Sequence, residues 1–159
     1  MKLKGIIFED MINYKKISMV LEFPYCNFKC DREFGCSVCQ NSQLSKEPDI
    51  DIPTWEVICR YMSDFITSAV VMQGLEPFDS WEDVFEFISM LRDTYNCDDD
   101  VVIYTGYNKD EISEYIQELQ KFENVIIKFG RYIPGQESHM DDVLGVNLAS
   151  DNQYAERIS

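Results

Sequence analysis

A chain of 159 residues, 45% of them hydrophobic and 27% charged, has the size of one domain and enough apolar side chain to bury a core, so residues 1–159 are expected to form a single unit. Twenty-nine acidic residues against 14 basic give a formal net charge of −15, which argues against nucleic acid as a direct partner, because phosphate backbones select basic surfaces. The apolar stretch within residues 1–10 is too brief for a signal peptide and no run approaches membrane-spanning length, so a cytoplasmic location without a membrane partner is expected.

Residues 17–25 read as a strand, and a loop holding four cysteines, Cys26, Cys30, Cys36 and Cys39, follows directly. Residues 41–53, polar and carrying Pro48 and Pro53, read as a connection. Asp51-Ile52-Pro53-Thr54 then suits the cap of a helix whose apolar residues Val57, Ile58, Tyr61, Met62, Phe65 and Ile66 recur with helical spacing. Residues 68–73 form a candidate buried strand that stops at Gly74, and a second helix follows with Trp81, Val84, Phe85, Phe87, Ile88 and Leu91 as its inward stripe. A third strand over 101–104 ends at Gly106, a third helix over 109–121 buries Ile112, Tyr115, Ile116 and Leu119, and a fourth strand over 125–129 stops at Gly130. The remainder to residue 159 is less regular.

Strands alternating with helices predict an α/β fold with a mostly parallel sheet, because parallel neighbours need a crossover and a helix supplies it. Ligands on such sheets bind beyond the carboxyl ends of the strands. The cysteine loop, Gly74-Leu75-Glu76-Pro77, Tyr104-Thr105-Gly106-Tyr107 and Gly130-Arg131 all fall at such ends and are expected to share one rim. Four or five strands are too few for a closed eight-stranded barrel, so the prediction is an open partial (β/α) barrel with the cluster loop after its first main strand.

The cysteines are the strongest chemical signal. Spaced Cys-x3-Cys-x5-Cys-x2-Cys in one loop, soft thiolates converge on an inorganic centre more readily than they build a core, and a reducing compartment favours ligation over disulfides. Cys59 and Cys97 lie outside the loop and read as ordinary thiols. The competing centre is a closed four-sulfur zinc site, although zinc sites usually divide their ligands between turns farther apart than this loop allows. A closed cluster held by all four thiols, acting as an electron carrier, is a further alternative.

Cys26-Asn27-Phe28-Lys29-Cys30 and Cys39-Gln40-Asn41, together with Gly74-Leu75-Glu76-Pro77, Tyr104-Thr105-Gly106-Tyr107 and Ser150-Asp151-Asn152-Gln153, resemble the motifs of radical S-adenosylmethionine enzymes. Within that superfamily the chain is most similar to the small activating proteins of anaerobic ribonucleoside-triphosphate reductase. The superfamily pattern has three cysteines, Cys-x3-Cys-x2-Cys, so this loop carries an insertion and one extra thiol. By the flanking residues the resemblance assigns Cys26, Cys30 and Cys39 as ligands and leaves Cys36 spare. Val38 stands where an aromatic residue is often found, and Leu75 where a second glycine is usual.

The resemblance implies a [4Fe-4S] cluster with one open iron that chelates S-adenosyl-L-methionine, with Asn41, Gly74, Leu75, Glu76, Pro77 and Thr105 on the cofactor side and no catalytic side chain beyond cluster and cofactor. It implies an activating oxidoreductase that reductively cleaves S-adenosylmethionine and leaves a glycyl radical on the reductase. Electrons would come from a low-potential donor such as flavodoxin or ferredoxin. The alternatives are a radical S-adenosylmethionine enzyme acting on another protein or peptide, and a non-catalytic zinc or iron–sulfur binding module.

Each motif also has a bland reading. Gly74-Leu75-Glu76-Pro77 and Tyr104-Thr105-Gly106-Tyr107 serve equally as strand-ending turns, and Ser150-Asp151-Asn152-Gln153 as a helix N-cap. His139 reads as a solvated loop residue, Lys128 and Arg131 as charges near the rim that either meet a carboxylate or, more often for such residues, solvate the edge, and Asp98-Asp99-Asp100 as solvated turn surface.

Overall fold

The computed structural model describes residues 1–159. In chain order it contains β1 (Lys2–Leu3), β2 (Gly5–Asp10), β3 (Ser18–Phe23), α1 (Lys29–Phe34), β4 (Ile50–Asp51), α2 (Thr54–Ser63), β5 (Ala69–Gly74), α3 (Trp81–Ser89) and β6 (Asp100–Tyr104). Then come α4 (Ser113–Leu119), β7 (Val125–Phe129), β8 (His139–Asp141), β9 (Val146–Leu148) and β10 (Tyr154–Arg157). The main sheet has six strands in the order β10-β7-β6-β5-β3-β2. Its four central strands run parallel, and β2 and β10 close the two sides antiparallel. The fold is thus α/β with a mixed, mostly parallel sheet. No helix is long and apolar enough to cross a membrane.

The central strands are apolar throughout because both faces are covered. On one face Met19, Leu21, Val70, Met72, Val101, Ile103, Val125 and Ile127 pack with α2 and α3 through Val57, Ile58, Val84 and Phe87. The alternate residues Val20, Val71, Val102 and Ile126 meet Tyr14, Leu144 and Leu148 on the other. That second cover comes from Tyr14 and from the β8–β9 hairpin region, where the sequence shows no regular pattern. The two outer strands were also unforeseen. β2 pairs with β3 through Ile7↔Val20, and β10 pairs with β7 through Tyr154↔Phe129.

The predicted helices are present with shifted ends: α2 and α4 are shorter than expected, whereas α3 continues through a π-helical turn over Met90–Thr94 that carries Leu91. α2 stops at Ser63, whose hydroxyl bonds the Arg60 carbonyl at 2.8 Å. Phe65 and Ile66 therefore fall outside it and are 98% and 55% exposed, so the stripe ends at Tyr61. Thr54 opens the helix without capping it, its hydroxyl going instead to Glu86 on α3. Asp98-Asp99-Asp100 is not simply solvated: Asp99 accepts the Tyr61 hydroxyl at 2.6 Å and Asp100, 4% exposed, opens β6. Ser150-Asp151-Asn152-Gln153 caps no helix. It is a turn in which Gln153 Oε1 accepts the N–H groups of Ala149 and Ser150, at 3.1 and 3.2 Å.

Candidate functional site

The parallel order of β3, β5, β6 and β7 puts all four carboxyl ends on one side, and the four expected motifs follow them. Beyond the end of β3 the chain keeps pairing with the segment after β5. Leu75 N–H donates to Phe23 O at 3.0 Å and Glu76 N–H to Tyr25 O at 2.8 Å. This places the start of the cysteine loop against Glu76 and Asp79.

Asp79 then fixes the loop's first turn. Its carboxylate accepts the Asn27 backbone N–H at 2.9 Å and the Tyr107 hydroxyl at 2.7 Å, while Asn27 Nδ2 donates to that hydroxyl oxygen at 2.7 Å. Phe28 holds a left-handed φ of 53°, rare for a bulky residue, and its N–H donates to Cys26 Sγ at 3.2 Å. α1 then carries Cys30 and ends at Gly35, φ 68°. Asp31 on α1 reaches across the inserted residues, accepting the N–H groups of Val38 and Cys39 at 2.8 and 2.9 Å. The insertion is therefore folded back on the loop and the third candidate ligand is tied to the helix bearing the second.

All six cysteines are free; Cys26, Cys30 and Cys39 are half-buried and Cys36 is exposed. Burial pushes the Cys26 thiol up to about 12, with a smaller upward push from Cys30. Burial likewise raises Cys30, with Cys39 adding repulsion, and burial raises Cys39. Each member of the trio thus resists ionising, chiefly because it is buried. No group of three or more Cys, His, Asp or Glu side chains is arranged to hold a single metal ion.

A cavity of about 330 Å³ opens at the strand ends, and Cys30, Cys39, Asn41, Gly74, Leu75 and Thr105 all line it. Asn41 Nδ2 donates to the Gly74 carbonyl at 2.7 Å, joining the far end of the cysteine loop to the end of β5. Gly74 has a φ of +95°, and a Cβ there would lie 2.7 Å from the Phe23 nitrogen, so only glycine fits this crossing of β5 and β3. Leu75 tolerates ordinary backbone angles beside it. Cys26 and Pro77 stand outside the lining.

Glu76 lies behind the wall rather than on it. It is 5% exposed and accepts the Thr105 hydroxyl at 2.7 Å, the Gly106 N–H at 2.9 Å and the Phe78 N–H at 3.2 Å. Burial drives its carboxyl up to about 7, with these three donors opposing. These bonds set the Thr105–Gly106 turn, and a Cβ on Gly106 would lie 3.8 Å from Cys30 Sγ.

Lys128 and Arg131, expected as edge charges, are buried at 7% and 8% exposure and line the same cavity. Arg131 is anchored by Glu111 at 2.8 Å and Glu33 at 3.5 Å, and it stands 5.8 Å over the Tyr107 ring. Hydrogen bonding from Arg131 holds the Glu111 carboxyl down at about 2. Lys128 has no carboxylate partner and donates only to the Gly130 carbonyl, at 2.9 Å. Burial lowers its ammonium to about 8, against the attraction of Glu76 and Cys30. The signal for Lys128 was present in the sequence, since it is the one charged residue of the strand Val125–Phe129. Nothing local marked Asp31 or Asp79. Gln153 also lines the cavity and donates to the Gly130 carbonyl at 3.2 Å, so the carboxyl-terminal turn does reach the rim.

Compared with known proteins, residues 16–154 match the family described as a 4Fe-4S single cluster domain. No curated protein and no solved structure gives a significant match.

Proposed function

We propose that this chain, which belongs to the 4Fe-4S single cluster domain family, is a radical S-adenosylmethionine activating enzyme whose protein substrate is the glycyl-radical subunit of anaerobic ribonucleoside-triphosphate reductase. Cys26, Cys30 and Cys39 would hold three irons. The donor set suits such a cluster: burial disfavours ionisation of all three half-buried thiols, and the positive charge of an iron cluster would favour their thiolate form. When bound, a [4Fe-4S] cluster with an open iron supplies reductive cleavage of S-adenosylmethionine and, through it, hydrogen-atom abstraction from a glycine Cα.

The chain's own residues bind and orient. Gly74 clears the approach to the end of β5, and Asn41 fixes its carbonyl. Leu75 offers an apolar wall, and Thr105, held by Glu76, has its Oγ1 accepting the Tyr107 N–H at 3.0 Å. The Lys128 ammonium, short of an anionic partner, suits the carboxylate of an amino-acid ligand. The observation that carries the reading is the single cavity joining two candidate ligand cysteines to the ends of three parallel strands.

Anaerobic reconstitution tests it. About four irons per chain, a reduced-cluster resonance that changes on adding S-adenosylmethionine, and release of 5′-deoxyadenosine under strong reductant are expected. Replacing Cys26, Cys30 or Cys39 singly with Ala should abolish cleavage, and Cys36→Ala should retain it. Loss of cleavage in Cys36→Ala alone would overturn the ligand assignment, and a cluster indifferent to S-adenosylmethionine would overturn the activity. Transfer of the radical to the reductase is read separately, as a glycyl signal on that subunit.

A further inference from the structure

A second concavity of about 690 Å³ lies beside the cysteine loop, between Tyr25, Asn27 and the start of α3. Its floor is aromatic: Phe78 stacks on Trp81 at 5.9 Å between ring centroids, and Trp81 stacks on Tyr115 at 4.4 Å. Its rim is acidic, with Asp79, Glu82 and Asp83. Asp83 is engaged by the Lys2 backbone N–H at 3.0 Å. Asp79 is held only by neutral donors, and neither it nor Glu82 has a cationic side chain within ion-pair distance.

Ser80, which also lines the groove, adds an independent sign of an occupant. It stands at the N-cap of α3 yet makes no capping bond. It is 9% exposed, and its buried hydroxyl has no hydrogen-bond partner. Buried polar groups are nearly always satisfied, so an orphan beside an open groove leaves a bond for a guest to complete.

The geometry points to a recognition site for an arginine side chain displayed by a partner polypeptide. A guanidinium is flat enough to lie over the Trp81 and Tyr115 rings, carries the charge that unpaired Asp79 and Glu82 lack, and has donors to spare for a hydroxyl oxygen. A bare metal ion is a poor competitor, because these carboxylates are not arranged around one point. The groove also communicates with the cysteine loop, since Asp79 holds the Asn27 N–H next to Cys26 at 2.9 Å. The inference stands whether or not S-adenosylmethionine is the ligand of the strand-end cavity.

The test uses the two tryptophan indole N–H resonances of the full chain. Trp55, on α2 and 54% exposed, is the internal control. Titration with acetyl-Gly-Arg-Gly-amide should move the Trp81 signal saturably and leave Trp55 in place. The citrulline peptide, equal in shape but uncharged, should bind at least about tenfold more weakly, and Glu82→Gln should weaken the arginine peptide about fivefold. Glu82 is exposed, so that variant keeps the fold. Equal affinity for arginine and citrulline, a Trp55 shift as large as that of Trp81, or no Trp81 shift overturns the proposal.

Discussion

Two buried charges sit at opposite ends of neighbouring strands, and they are treated differently. Asp100, at the start of β6, is surrounded: it accepts the Tyr14 hydroxyl at 2.9 Å, an ion pair from Lys16 at 2.5 Å and another from Arg157 at 2.8 Å. Lys128, near the end of β7, has one backbone carbonyl, the Tyr104 ring at 5.9 Å and no carboxylate partner, on the wall of the cavity. A carboxylate with three donors is compensated for its burial, whereas an ammonium buried without a counter-ion costs stability. The amino-terminal edge of the sheet is a finished structural joint, and the carboxyl-terminal edge holds a cation without a counter-ion on the wall of the cavity proposed to take a ligand.

Removing the finished joint should have the larger effect on folding. Asp100→Ala leaves Tyr14 and two cations without their acceptor, and we expect a loss of about 3 kcal/mol in urea denaturation at neutral pH. Burial alone would raise the Asp100 carboxyl, but hydrogen bonds from Lys16, Arg157 and Tyr14 outweigh it and hold the group below its ordinary value near 3.8. A carboxyl lowered on folding stabilises above its unfolded pKa, and that contribution disappears as the pH falls through the folded value. The gap between parent and variant should therefore be full at pH 6–7 and narrow below about pH 4. A gap that widens on acidification would contradict the three-donor account.

Next in size is Gly74→Ala, at the tightest crossing of the carboxyl-terminal edge. A left-handed φ and a Cβ 2.7 Å from backbone nitrogen force β5 away from β3, so about 2 kcal/mol should be lost. If the chain cleaves S-adenosylmethionine as proposed, the variant should also lose cleavage under conditions where it remains folded, because the Asn41 bond to the Gly74 carbonyl moves with it. Unchanged activity in a destabilised protein would remove Gly74 from the site and leave it as a packing glycine.

The carboxyl-terminal edge was more legible in the sequence than the amino-terminal one. Glycines mark where strands stop, so Gly74, Gly106 and Gly130 announced the rim, and the cysteine spacing announced what lies on it. Asp100 could not be read, because its partners are remote: Tyr14 is 86 residues away and Arg157 is 57. Three consecutive aspartates look solvated until the chain returns to meet them. β2 and β10 were missed for a related reason, since each is an antiparallel edge whose pairing depends on a neighbour already in place. Phe65 shows the opposite failure: it fits the helical period of α2, but the helix has ended before it.

The smallest effect on stability, and the one of opposite sign, is expected from Lys128→Met. Methionine keeps much of the aliphatic length of lysine and removes an ammonium that burial disfavours, so the protein without S-adenosylmethionine should gain about 1 kcal/mol. The Gly130 carbonyl keeps its bond from Gln153 Nε2 at 3.2 Å, so no acceptor is stranded. If the cavity receives an amino-acid carboxylate, the same substitution should weaken S-adenosylmethionine binding about tenfold or more while leaving iron content unchanged. Stability and binding then move in opposite directions at one atom. That divergence separates a ligand-directed cation from a structural one, because a lysine serving only the fold would lose both together.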